Sequence, residues 1–104
     1  MPTERAIRAY LQRFHATLAK GQVHLTEKAF DEIEELGLTP ADAIEHLAVI
    51  NAEDWRECQH PLRSGTDDLW IFAPLSGETL LYVKIQDQRD GFYNVLSFHL
   101  WGDL

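Results

Sequence analysis

Cysteine is almost absent from this chain. Cys58 is the only one in 104 residues, so no disulfide can form within it. That economy suits a reducing compartment. Long apolar runs are missing too: none approaches the ~20 residues that a membrane-spanning helix needs, and no membrane association is expected. The opening stretch MPTERAIRAYLQRF is charged and has no apolar core of the signal-peptide kind, so a cytoplasmic location is expected. No glycine-rich phosphate loop, GxGxxG fingerprint, nucleophile elbow or paired zinc-ligand spacing occurs. These absences argue against nucleotide-cofactor enzymes, α/β-hydrolases and zinc proteins. They leave room for a cofactor-free nuclease, which has no short signature of its own.

Basic residues are also scarce, nine against seventeen acids, for a net charge of −8. Such a balance disfavours unspecific nucleic-acid binding, but the charge is unevenly spread. Residues 1–20 carry +3, residues 21–57 carry −8 and residues 58–104 carry −3. The acidity is concentrated in the middle of the chain, around Asp31-Glu32-Ile33-Glu34-Glu35. That stretch reads as the solvated outer face of a helix rather than as a paired-carboxylate site. Arg5, Arg8 and Arg13 lie loosely on one side of the first helix, where they suit a plain surface or contact with phosphates or an acidic partner.

The length fits one domain, residues 1–104, with a modest core. No repeat, linker or low-complexity tract divides it. Residues 4–20 place Ile7, Tyr10, Leu11, Phe14 and Leu18 on one helical face, and Gly21 follows as a stop. Val23-His24-Leu25 reads as a short extended link. Thr26 caps a second helix over 27–36, which Gly37 ends. Thr39-Pro40-Ala41-Asp42 starts a third over 40–50, with a capping threonine, a proline in the first turn and an acid three residues after the cap. Beyond Ile50, turn residues at Pro61, Ser64-Gly65, Ser76-Gly77 and Arg89-Asp90-Gly91 separate strand-like runs at 54–60, 69–75, 79–87 and 92–101. Connections this short imply antiparallel neighbours. The expected architecture is α+β: three N-terminal helices followed by an antiparallel sheet of about four strands.

Two of those runs alternate with period two. In Leu81-Tyr82-Val83-Lys84-Ile85 the apolar residues share one face, and Leu80, Tyr82, Lys84 and Gln86 share the other. In the last run Leu96, Phe98 and Leu100 form one face, and Tyr93, Val95, Ser97, His99 and Trp101 form the other. With the apolar faces turned inward, Tyr82, Lys84, Ser97, His99 and large aromatics come together. A proton carrier, a fixed cation and stacking rings are what RNA cleavage or RNA binding requires; an ordinary solvated sheet face can have the same composition.

Gly21-Gln22-Val23 leading to Thr26, Glu35-Leu36-Gly37-Leu38, Asp54-Trp55, Leu69-Trp70, Leu81-Tyr82-Val83-Lys84-Ile85 and Val95-Leu96-Ser97-Phe98 occur in this order. Together they resemble the MqsR-like (motility quorum-sensing regulator) toxins of bacterial type II toxin–antitoxin systems, in the wider RelE-like ribonuclease superfamily. The resemblance covers residues 18–101. It implies a RelE-like fold and a small metal-independent endoribonuclease that cuts mRNA and is held inactive by a cognate antitoxin. It also implies a site built from the sheet. Tyr82 and Lys84 match that pattern in type. His99 stands where a lysine is expected after Ser97-Phe98, Ile71 stands where a glutamine is expected after Trp70, and Arg56 is the only cation near the first lysine position.

Metal-free RNA cleavage needs a base for the 2′-hydroxyl, an acid for the leaving 5′-oxygen and a cation on the phosphate. An imidazole, with an ordinary pKa near 6.5, serves as either acid or base at neutral pH. His99, Tyr82, Lys84 and Arg56 are therefore the candidate catalytic residues. Trp101, Tyr93 and Arg63 are candidates for RNA binding, the rings by stacking on bases. No metal site is expected: His15, His24, His46, His60 and His99 do not fall into ligand spacing, and Cys58-Gln59-His60 is a lone pair without a second half. Cys58 reads as an inert thiol. Two rival readings remain: a non-catalytic protein-interaction module of the same fold, and a DNA-directed nuclease.

Overall fold

The computed structural model describes residues 2–59, 68–87 and 92–102. Helix α1 (Glu4–Ala19) leads into a three-residue strand β1 (Val23–Leu25), then α2 (Glu27–Glu35) and α3 (Pro40–Ala48). A short 3₁₀ turn (Ala52–Asp54) precedes β2 (Trp55–Gln59), β3 (Leu69–Phe72), β4 (Leu75–Ser76), β5 (Thr79–Asp87) and β6 (Tyr93–Leu100). Each helix begins at a threonine whose hydroxyl accepts a first-turn N–H: Thr3 from Ala6, Thr26 from Ala29 and Thr39 from Asp42. At α3 the Asp42 carboxylate completes the box by accepting the Thr39 N–H at 2.9 Å.

The class is α+β, but the expected arrangement of three helices and then four antiparallel strands is not what forms. The sheet has six strands and is mixed, in the order β1-β6-β5-β3-β2, with β4 paired to β5. Val23-His24-Leu25 is a strand rather than a link, and it precedes two of the helices. It pairs in parallel with Tyr93-Asn94-Val95. Three residues are too few to show a period, so its pairing is set by the strand it meets. The run 69–75 is also two strands. Pro74, which has no N–H to donate to a ladder, separates β3 from β4.

The helices bury their apolar stripes against one face of this sheet. Tyr10, Phe14, Ile33 and Leu47 join Phe72, Leu81, Val83, Ile85, Tyr93, Val95 and Phe98 in a single core. Tyr10 stacks on Trp70 with ring centroids 4.1 Å apart and meets Tyr93 edge-on at 5.8 Å. Where β1 ends, α2 takes over the open side of β6. The Thr26 N–H and hydroxyl both donate to the Val95 carbonyl, and Glu32 accepts the Phe98 N–H at 3.0 Å. Among the described residues no helix is long and apolar enough to cross a membrane.

Candidate functional site

Two bulges decide which residues share the face opposite the helices. On β6, Lys84 lies across from Ser97 but Ile85 lies across from Val95, so Leu96 is an extra residue. The alternation resets there. Tyr93 and Val95 therefore point to the core with Phe98 instead of outward with His99. Tyr93, expected to stack on RNA bases, is 6% exposed and packed between Tyr10 and Phe14. It offers no ring to a ligand. On β2 the register skips from Trp55–Phe72 to Glu57–Ile71, so Arg56 is the extra residue. Its guanidinium folds back onto the carbonyls of Glu53 and Trp55, at 3.1 and 3.0 Å. Arg56 therefore sits in the bulge near the start of β2, where its head group is engaged by main chain, and Glu57 takes the place on the sheet face. Arg63 lies outside the described residues.

Past the Leu96 bulge the expected neighbours do meet. Tyr82 and His99 are cross-strand partners with rings stacked at 4.8 Å and 8°. Trp101 tilts against Tyr82 at 5.4 Å and is 44% exposed. The Lys84 ammonium sits 5.8 Å from the centre of the Tyr82 ring, within cation–π range. Ile71, across from Lys84, is fully buried. An apolar side chain thus fills the position where the resemblance implies a glutamine.

Helix α2 contributes side chains that sequence reasoning left on a solvated surface. Lys28 donates to Glu32 at 3.2 Å and to the Ser97 hydroxyl at 3.0 Å. Glu32 faces His99, with Oε2 3.9 Å from Nε2 and side-chain exposures of only 18% and 10%. The His99 Nδ1 lies 2.8 Å from the Leu100 carbonyl, which can only accept, so Nδ1 carries the proton. Nε2 then carries the lone pair, and it faces the Glu32 carboxylate. Lys28 and Glu32 were findable: they are one helical turn apart and adjoin Ala29 and Ile33 in the buried stripe, so they had to lie at its margin.

The phenol of Tyr82 is pushed above its ordinary pKa, first by burial and then by the Glu57 carboxylate, with Lys28 pulling the other way. It stays a neutral hydrogen-bond donor at physiological pH. The face thus joins two ammonium groups, an imidazole, a phenol and an exposed indole. No group of three or more histidine, cysteine or acidic residues able to hold a metal occurs among the described residues. Cys58, half-buried, lies across from Trp70 on the core side of β2. The chain matches no protein-family model and no curated protein.

Proposed function

We propose that this protein is a metal-independent endoribonuclease, the MqsR-like toxin of a type II toxin–antitoxin pair, acting on mRNA in the cytoplasm under the control of a cognate antitoxin. The observation that carries this reading is the Tyr82–His99 stack flanked by Lys84 and Lys28. In neutral His99 the Nε2 lone pair takes the proton of a ribose 2′-hydroxyl, whose oxygen attacks the adjacent phosphorus. The imidazolium, steadied by Glu32, gives that proton to the departing 5′-oxygen. The products are a 2′,3′-cyclic phosphate and a 5′-hydroxyl, with no net proton change. Lys84 and Lys28 lie on either side of Ser97 and balance charge on the phosphate, and Trp101 supplies a surface on which a base stacks.

Cleavage of a defined mRNA by purified protein tests the reading. His99→Ala is expected to slow it by about a hundredfold to ten-thousandfold, the usual reach of a general acid–base. Equal cleavage by both proteins sinks the role assigned to His99.

Buried Ile71 and the carboxylate of Glu57 on this face favour a second reading, a non-catalytic interaction module. It predicts no RNA binding even at low salt, together with a protein partner that co-purifies. The DNA-directed alternative is decided by offering plasmid and RNA side by side.

A further inference from the structure

Away from the His99 face, α3 and the β4–β5 hairpin bring together a second histidine and a serine. His46 Nδ1 lies 2.7 Å from the Asp42 carbonyl, one turn earlier in α3. A carbonyl only accepts, so this nitrogen carries the proton and the lone pair resides on Nε2. Nε2 in turn lies 2.9 Å from Ser76 Oγ, which must donate to it. A hydroxyl donating to a histidine whose other nitrogen is held by a third group is the arrangement that activates a nucleophilic serine.

The surroundings fit that chemistry. Ser76 ends β4 at a two-residue turn in which Gly77 adopts φ +64, a conformation open to glycine, and the serine is only partly buried. Two clefts include Ser76 in their lining. One, of about 140 Å³, is lined by Leu36, Leu38, Leu81 and Leu100 together with Thr79. The other runs over His46, Val49 and Leu75. The Asp42 carboxyl is held below its ordinary pKa chiefly by its hydrogen bonds with Thr39, with a smaller part from the charge of His46.

We propose that Ser76 and His46 form a nucleophile–base pair that hydrolyses esters of short aliphatic carboxylic acids. Ser76 Oγ bonds to the acyl carbon as its proton passes to His46 Nε2. The bond to the alcohol oxygen breaks, and that oxygen leaves with the proton. Water then adds to the acyl-serine by the same relay, releasing the acid and restoring the serine. The leucine-lined cleft takes the aliphatic chain.

The test uses the full chain, p-nitrophenyl butyrate as substrate and a fluorophosphonate as trap. Wild type is expected to hydrolyse the ester at least about a hundredfold faster than Ser76→Ala and His46→Gln. Peptide mass mapping is expected to place the phosphonate on Ser76. Circular dichroism and the thermal midpoint of each variant check that the fold is kept, and adduct formation on wild type needs no variant. Equal hydrolysis by wild type and S76A, or the absence of an adduct at Ser76, overturns the proposal. RNA cleavage is a separate readout, so failure here leaves the His99 reading standing, and the reverse also holds.

Discussion

Replacing Glu32 with alanine isolates the contact by which α2 closes the side of β6. Three interactions are lost: the hydrogen bond accepted from the Phe98 N–H, the pair with Lys28 and the approach to His99. The first dominates. A hydrogen bond to a charged acceptor contributes about 1.5–3 kcal/mol, and its loss strands a main-chain N–H at a partly buried position. The Lys28 side chain is 63% exposed, so that pair adds only about 0.3–0.5 kcal/mol. Alanine is the better helix former and returns a few tenths. The net cost is about 2 kcal/mol, a large share of the roughly 5–15 kcal/mol that holds a domain folded. For a chain of this size that lowers the thermal midpoint by about 8–16 °C. Glu32→Gln keeps an oxygen for Phe98 and should lose about half as much. Urea unfolding followed by circular dichroism gives the stabilities, and amide exchange at Phe98 reports the bond itself. If E32A stays within about 0.5 kcal/mol of wild type and the Phe98 amide exchanges at an unchanged rate, helix α2 does not close the sheet through this carboxylate.

Thr39→Ala removes the cap and half of the box at α3, and urea unfolding should show a loss of about 1 kcal/mol. The Tyr82 phenol, followed by NMR of its ring carbons, should titrate later than free tyrosine. Glu57→Gln should bring its midpoint down and Lys28→Met should raise it further, and the opposite signs would show that these charges do not face the ring. Because the folded value lies above the unfolded one, the stability tied to this phenol is full below the ordinary tyrosine range, about pH 10. It is lost as pH climbs through the folded value. Trp101→Ala should weaken single-stranded RNA binding by about 1–3 kcal/mol at low salt without changing the unfolding midpoint. Tyr93→Ala should instead destabilise the fold by about 3–5 kcal/mol, as other large core truncations do.

The helices were legible because their signals are local: a threonine cap, a one-faced apolar stripe and a glycine stop all lie within one element. Tyr82, Lys84 and His99 were legible as neighbours because β5 alternates without interruption, and His99 lies beyond the bulge in β6. The register errors have one physical source. A bulge adds a residue without altering composition, so nothing around Leu96 or Arg56 announces that the alternation resets. Tyr93 therefore lies on the face opposite to the one its alternation predicts, and Arg56 sits in a bulge instead of in the paired ladder. β1 was not legible as a strand because three residues cannot display a period, and its parallel pairing depends on a strand seventy residues away. Lys28 and Glu32 were hidden for the same reason: their partners Ser97, Phe98 and His99 are distant in sequence, and their own neighbourhood looked like acidic solvated surface.

The handover from β1 to α2 also bears on self-association. A sheet with strands as apolar as β3 and β6 invites pairing with another copy wherever a long flat edge stands open. On the β6 side that edge is shared between a three-residue strand and a helix whose carboxylate occupies a main-chain donor. On the opposite side β2 is broken by the bulge at Arg56 and carries Arg56 and Glu57. Among the described residues neither border offers an uninterrupted ladder to an incoming strand, an arrangement that works against self-templating by the apolar strands.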